Sequence, residues 1–237
     1  MTNPGAHDQI RIELDPIVEL VGGRTVGFEA RPGIGGDPSA HAVLWRSAAR
    51  ELGLHADLES RIAVRAIPML AELPPDTYLA LAVSPEAVLS PSYRSLLATG
   101  PLDRLVLEMG EHRAIRNWEQ LDVAMRPLRA AGMRLGLTDV GIGHAALEVA
   151  LRLRPELMKI APSVVRGIES DSARQFGVLS LVAFASDYRV SLVAGDVQTP
   201  EAQQALAELG VAFGQRLRGG APSTPSAPAP AGSAIAA

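Results

Sequence analysis

Residues 134–162 read RLGLTDVGIGHAALEVALRLRPELMKIAP, and they contain two apolar runs joined by a helix-like segment. An apolar run ends in Thr138 and Asp139. A glycine-rich turn and a segment with apolar residues at helical spacing follow, and a second short apolar run then ends near Lys159. A strand, a helix and a second strand in this order form a βαβ unit, whose two strands are parallel. The stretch therefore predicts an α/β protein with a parallel sheet.

The rest of the chain repeats this alternation. Strand-like runs occupy residues 11–20, 24–30, 77–84, 103–109, 133–139, 156–161, 190–196 and 211–217. Apolar residues at helical spacing occupy residues 56–73, 118–132, 144–154, 173–188 and 200–210. About eight strand units in roughly 220 residues favour a (β/α)₈ TIM-like barrel over an open doubly wound sheet. The turn Val21-Gly22-Gly23 predicts a hairpin, so the first strand should be antiparallel to the second.

The helix predicted over residues 200–210 has clear end signals. Thr199 is a candidate N-cap, Pro200 stands at the first helical position, and Gly210 is a candidate stop. These signals fix the ends of the last helix before the last strand.

The two ends of the chain differ from its body. Residues 219–237 are rich in Pro, Ala, Ser and Gly and carry no charge, so they cannot bury enough apolar surface to offset their ordering entropy. We therefore expect a flexible N-terminus over residues 1–10, one barrel domain over residues 11–218, and a disordered tail over residues 219–237.

Composition excludes several classes of protein. The chain has no cysteine, which rules out disulfides, thiolate catalysis and cysteine-based zinc sites. A net charge of −4 and a pI of about 5.8 argue against a partner such as duplex nucleic acid. No apolar run approaches the roughly 18–20 residues that cross a bilayer, and the N-terminus lacks a secretory pattern. We expect a cytoplasmic protein without membrane insertion.

Polar residues mark the ends of the predicted strands. In a barrel of this kind the chemistry gathers at the carboxyl ends of the strands. Carboxylates brought together from several strands suggest a hard divalent cation, Mg²⁺ or Mn²⁺, and phosphoryl chemistry. A single acidic residue at a strand end is more often a helix cap or a solvated charge, so the inference depends on coincidence across strands. The residues concerned are Glu29, Ser84, Glu108, Thr138, Asp139, Lys159, Asp196 and Gln215.

A dinucleotide fingerprint is a weaker alternative. The pattern Gly141-x-Gly143-x-x-Ala146 follows a strand, but Ala161 stands where that reading requires an acidic residue at the end of the next strand. The five histidines are scattered and have no metal-site spacing. We therefore disfavour a dinucleotide-binding fold.

The order of the motifs resembles the EAL domain family of cyclic di-GMP phosphodiesterases. The opening segment DPIVELVGGRTVGFEA resembles the family's first strand pair, with Glu29 as the glutamate of the name motif. LAVSPEAVL is similar to the NxS segment, LVLEMGE to LxxEITE, LTDVGIG to the DDFGTG turn, and LMKIAP to LKID. VAGDVQ resembles VAEGVE, and the whole resemblance runs from about Ile12 to Pro222.

The resemblance implies a barrel that binds cyclic di-GMP and two divalent cations and hydrolyses the dinucleotide to its linear form. It also implies roles for individual residues. Glu29, Glu108 and Asp139 match metal ligands, and Lys159 matches the catalytic lysine. Gln215 matches a residue of the nucleotide pocket, and Arg31, which replaces the leucine of the name motif, stands at another such position.

Three ligand positions of the family are lost in this chain. Ala82 replaces an asparagine, Thr138 replaces the first aspartate of the DD pair, and Gly195 replaces a glutamate. Without bridging carboxylates two divalent ions repel each other, and without the metal pair the attacking water stays a weak nucleophile. Asp196 follows the lost glutamate directly, but neighbouring strand residues point to opposite faces. Further departures are Asp15, Ala161 and Gln198.

These losses predict a degenerate EAL domain in bacterial signalling, with Lys159 vestigial. It would act as a regulatory or binding module toward a protein partner, cyclic di-GMP or both. Exposed parts of either apolar helix, over 56–73 or over 173–188, offer a homodimer surface. The alternative is a weak phosphodiesterase in which Glu29, Glu108 and Asp139 hold a single Mg²⁺ or Mn²⁺.

Overall fold

The computed structural model describes residues 10–34, 49, 51–110, 115, 117–141 and 145–215. The predicted tail, residues 216–218 and the predicted flexible N-terminus except Ile10 lie outside this range. The same holds for residues 142–144 in the glycine-rich turn.

Eight strands close into one barrel in the order of the sequence. β1 is antiparallel to both of its neighbours, β2 and β8, and the strands from β2 to β8 are parallel to one another. The predicted fold and the predicted antiparallel first strand are both confirmed. The strands are β1 Ile10–Glu19, β2 Thr25–Ile34, β3 Tyr78–Ala82, β4 Leu105–Gly110, β5 Arg134–Val140, β6 Leu157–Ile160, β7 Ser191–Ala194 and β8 Phe213–Gln215.

The hairpin between β1 and β2 turns at the two glycines that the sequence singles out. Gly22 and Gly23 have φ values of 91° and 71°, a region that side chains with a Cβ rarely enter. This turn allows β1 to run back along β2 before the barrel continues with parallel strands.

Helices surround the strands. They are α1 His55–Ala66, α2 Pro85–Leu89, α3 Pro91–Leu97, α4 Trp118–Ala130, α5 Ala145–Leu153, α6 Pro162–Val165, α7 Ser172–Tyr188 and α8 Pro200–Glu208. Short 3₁₀ segments cover Ile67–Ala71, Leu102–Arg104 and Ile168–Ser170. None of these helices that falls within the described residues is long and apolar enough to span a membrane.

The strands have apolar residues on both faces, one packed against the helices and the other inside the barrel. Leu79, Leu81, Leu105 and Leu107 are fully or almost fully buried and pack against the helices. The alternate positions face the inside of the barrel, where a smaller apolar cluster contains Ile17, Tyr78, Ala80, Val106, Leu157 and Val193. Two residues further along β4 and β6, the same inward face carries Glu108 and Lys159. The apolar interior therefore ends in polar side chains at the carboxyl ends of the strands, which we call the mouth.

Candidate functional site: the mouth of the barrel

Lys159 lies between two carboxylates at the mouth. Its Nζ donates to Oε2 of Glu29 at 3.0 Å and to Oε2 of Glu108 at 2.7 Å. The three side chains are only 11%, 12% and 5% exposed. An ammonium group therefore occupies the space between the carboxylates.

The surroundings keep Lys159 charged. Burial alone would lower the pKa of this lysine, but the nearby Glu108 and Glu29 carboxylates outweigh burial and hold the pKa above its ordinary value. A protonated lysine donates hydrogen bonds and cannot accept a proton from water. In this arrangement Lys159 serves as a fixed cation and not as a base.

Gln215 completes this layer of side chains. Its Nε2 donates to Oε2 of Glu29 at 2.8 Å. Glu29, Glu108, Lys159 and Gln215 come from β2, β4, β6 and β8, which is the pattern of a barrel layer built from alternate strands. The structure thus brings together four of the residues that the sequence singles out.

Asp139 stands apart from that layer. It belongs to β5, where the pairing with β6 shifts between Leu137 and Val140, and its φ is 63°. Aspartate tolerates this left-handed conformation better than most residues do. Its half-buried side chain forms no hydrogen bond or ion pair with any described residue. Thr138 beside it offers only a hydroxyl, 3.5 Å from the Met109 carbonyl oxygen.

Two departures from the family pattern pair with each other. Arg31 Nε forms an ion pair with Oδ2 of Asp15, and both side chains are largely buried. Burial raises the pKa of Asp15, while the guanidinium of Arg31 works in the opposite direction. Asp15 lies opposite Glu29 in the β1–β2 register. The Asp15–Arg31 pair therefore lies directly beside the layer that contains Glu29 and Lys159.

Asp196 is engaged by neighbouring side chains. Its carboxylate accepts from Arg166 at 2.9 Å and 3.2 Å, and Nε2 of Gln198 donates to both of its oxygens. With 2% exposure and a φ of 57°, Asp196 is a buried ion-pair partner. Sequence reasoning missed Arg166, because 30 residues separate it from Asp196 and no motif links them.

The backbone of a neighbouring strand packs closely against Gly195. A Cβ placed there would lie 2.8 Å from the carbonyl oxygen of Ile160, which is shorter than real Cβ contacts. The amide of Gly195 donates to that same carbonyl at 3.1 Å. A glutamate at this position would therefore require the backbone to move.

The residues at the mouth do not fit a pair of divalent ions. Within the part of the chain that the structure describes, no group of three or more histidine or acidic side chains is placed to hold a metal ion. Glu29 and Glu108 share an ammonium, and the positions of Ala82, Thr138 and Gly195 supply no carboxylate. The positive charge at this site comes from the protein itself.

A family model described as the EAL domain matches residues 4–215. That range contains the complete barrel and every residue of the mouth named above. The chain therefore belongs to the EAL domain family.

The relatives include a specificity factor and a phosphodiesterase. The RNase E specificity factor CsrD of Escherichia coli K12 is 26% identical over 172 residues, which are 70% of this chain and 26% of that protein. The cyclic di-GMP phosphodiesterase PdeF of the same organism is 26% identical over 176 residues, 70% of this chain and 24% of that protein. The matched region thus spans about a quarter of each relative.

Solved structures agree with the fold. BlrP1 of Klebsiella pneumoniae, in a complex with calcium and cy-diGMP, is 26% identical with a TM-score of 0.77. The match covers 92% of this chain and 57% of that one. A manganese/cy-diGMP complex of BlrP1 matches with the same TM-score and 25% identity, over 92% of this chain and 56% of that one.

Proposed function

We propose that this chain is an EAL domain that does not hydrolyse cyclic di-GMP and acts as a regulatory module for a protein partner. One observation carries the proposal: the Lys159 ammonium lies within hydrogen-bond distance of both Glu29 and Glu108. Hydrolysis of a phosphodiester by metal ions requires an activated water between them. Here the carboxylates that would bind such ions hold a lysine.

The charge at the mouth favours a protein partner over the dinucleotide. A cyclic dinucleotide has two anionic phosphodiesters, which cations must neutralise. Among the residues that the structure describes, the cations at the mouth are already engaged by carboxylates, and the carboxylates outnumber them. Within those ranges, five carboxylates, Asp15, Glu29, Glu108, Asp139 and Asp196, and three cations, Arg31, Lys159 and Arg166, lie at or beside the mouth.

The names of the relatives are compatible with this proposal. CsrD is named for a specificity role toward RNase E, whereas PdeF is named as a phosphodiesterase, and both are equally similar to this chain. Sequence identity alone does not separate the two functions, whereas the carboxylates engaged by Lys159 at the mouth favour the regulatory one.

The test is calorimetric titration of cyclic di-GMP into the protein with and without Mn²⁺, followed by chromatography of the products. We expect no linear dinucleotide and no binding under either condition. Binding without hydrolysis would replace the partner-only proposal with a nucleotide receptor. Turnover would contradict both.

The second candidate function is a weak phosphodiesterase with a single Mg²⁺ or Mn²⁺. The retained carboxylates of Glu29, Glu108 and Asp139 favour it, because Mg²⁺ needs few protein ligands. In that case turnover would depend on Mn²⁺ and would disappear in Glu108→Gln. The matched control is Glu148→Gln, on the exposed side of α5, which would leave such turnover unchanged.

A further inference from the structure

A groove on the outside of the barrel lies between the C-terminal parts of α4 and α5. Its volume is about 560 Å³, and six of the eight described residues that line it are exposed. In a β/α barrel the helices run back from the carboxyl ends of the strands, so the groove lies at the end of the barrel opposite to the mouth. We call it the α4–α5 groove; its lining residues fall within 122–130 and 151–154.

Positive charge dominates the walls of the α4–α5 groove. Four of its described lining residues carry a guanidinium group and one carries a carboxylate: Arg126, Arg129, Arg152, Arg154 and Asp122. The whole chain has a net charge of −4, so the groove reverses the charge of the molecule locally. A planar guanidinium can donate two parallel hydrogen bonds to one carboxylate. Guanidinium groups from two helices therefore favour a ligand that carries several carboxylates.

Three of these arginines are open to such a ligand. Arg126 pairs with Asp122 at 2.8 Å and Arg152 pairs with Glu148 at 3.2 Å, each within one turn of a helix, and all four side chains are at least half exposed. Exposed pairs of this kind contribute little free energy, so a ligand carboxylate can replace them. The exposed side chain of Arg154 forms no hydrogen bond or ion pair with any described residue.

The fourth arginine, Arg129, prepares the end of α5 for an anion. Carbonyl groups at the C-terminus of a helix carry partial negative charge and would repel a carboxylate. Arg129 donates to the carbonyl oxygens of Leu153 and Arg154, both at 2.8 Å, and it also pairs with Glu156. These bonds offset the negative end of α5 and join it to α4.

Apolar side chains complete the groove and narrow the class of ligand. Leu151 is 48% exposed and lines the groove together with Leu153 and Ala130. A pocket for a small molecule encloses most of its ligand, whereas this groove is open and suits a segment of polypeptide. A nucleic-acid strand fits less well, because its continuous phosphates would pass close to Asp122 and Glu148, and the net charge of −4 repels it.

We propose that the α4–α5 groove binds a short acidic segment of a protein partner. The carboxylates of that segment would pair with the arginines, and an apolar side chain would pack against Leu151. The assignment rests on the proposed regulatory function, for which it specifies the chemistry of the partner. None of the described residues that line the groove belongs to the mouth, so the two sites can be altered separately.

The first test measures binding of the fluorescein-labelled peptide Glu-Glu-Leu-Glu-Glu-Leu-Glu-Glu by fluorescence anisotropy. We expect saturable binding that weakens as NaCl rises from about 50 to 500 mM, because salt screens exposed charges. Arg154→Glu should raise the dissociation constant at least about tenfold, since it replaces an attraction by a repulsion. Arg189→Glu is the matched control and should have no effect. Both arginines are exposed and directly follow an outer helix, with left-handed φ values of 48° for Arg154 and 57° for Arg189.

The second test exchanges the charges of the groove and the peptide. Arg126→Glu/Arg154→Glu should bind a peptide with lysine in place of every glutamate more tightly than the unaltered protein does. Circular dichroism checks the fold of each variant, and Arg126→Glu takes the place of Arg154→Glu if the latter does not fold.

Three results would overturn the proposal. They are no binding of the acidic peptide at about 1 mM, an equal loss in Arg154→Glu and Arg189→Glu, and tighter binding of a single-stranded oligouridine than of the peptide. None of them bears on hydrolysis of cyclic di-GMP. Failure at the groove is therefore distinguishable from failure of the proposed function, which only turnover or binding of the dinucleotide contradicts.

Discussion

Lys159 stabilises the centre of the mouth through ion pairs with Glu29 and Glu108. Its ammonium lies between two nearly buried carboxylates, and removal of one partner from such a cluster leaves uncompensated charge in a region of low dielectric. Lys159→Met should lower the free energy of unfolding by about 3 kcal/mol, measured by urea denaturation at pH 7. Arg126→Met, which removes an exposed cation from α4, should cause little change. Equal stability of the two variants would show that Lys159 is not coupled to the carboxylates.

The ion pair of Asp15 and Arg31 predicts a dependence on pH. Arg31→Leu removes the group that opposes the effect of burial, so the pKa of Asp15 in the folded protein should rise further above its unfolded value. A raised carboxyl pKa means that the folded state loses stability above that pKa and regains it as the pH falls toward the unfolded value. We expect a loss of about 3 kcal/mol at pH 7 that shrinks as the pH falls to 5.

Urea denaturation of Arg31→Leu across that pH range is the measurement. The double variant Asp15→Gln/Arg31→Leu carries the residues that the resemblance to the family places there, and it should recover most of the stability at pH 7. A loss that stays constant with pH would mean that Asp15 is not the group responsible.

The sequence predicts which residues lie at the mouth but not how they pair with one another. The alternation along each predicted strand shows that Glu29, Glu108 and Lys159 point into the barrel, because every second side chain of a barrel strand faces inward. It does not show that Lys159 joins the two carboxylates, or that Arg166 reaches Asp196. Those contacts depend on side-chain conformations that residues far apart in the chain impose on each other.

Among the elements, end signals predicted helix bounds well where they were complete. Thr199 accepts from the amide of Ala202 at 3.1 Å, Pro200 is the first residue of α8, and Gly210 has a φ of 94°, as the sequence predicts. Thr199→Ala should therefore lower the free energy of unfolding by about 1 kcal/mol, and Thr199→Ser should not. Thermal or urea denaturation of both variants tests this, and an equal loss would assign the effect to packing of the threonine methyl group.

Short elements escaped prediction for a physical reason. Helices α2 and α3 have five and seven residues, fewer than the two turns over which apolar periodicity becomes visible. Both begin with proline and follow a serine, and these two residues were the only local signal. The β-strand periodicity, by contrast, predicted all eight strands, and the structure ends most of them within one or two residues of the predicted positions.

The barrel as a whole determines whether metal ions can bind at the mouth after ligand side chains are introduced there. Ala82 is paired with Glu108 in the β3–β4 register, and Thr138 precedes Asp139 on β5. The double variant Ala82→Asn/Thr138→Asp adds an amide oxygen and a carboxylate to the carboxylates already present. We expect it to bind Mn²⁺ more tightly than the unaltered protein, measured by calorimetry. Ala98→Asn/Thr99→Asp adds the same groups at an exposed site beyond α3 and should not change Mn²⁺ binding.

Addition of Gly195→Glu to that double variant should have a different effect. The new Cβ would lie 2.8 Å from the carbonyl oxygen of Ile160, so the backbone between β6 and β7 must shift to accept it. We expect the triple variant to unfold at a lower urea concentration than the double variant. Its free energy of unfolding should be lower by about 1–3 kcal/mol, as for other overpacked sites. A triple variant as stable as the double one would show that this backbone yields easily. In that case the backbone at Gly195 could accommodate a glutamate side chain without a measurable loss of stability.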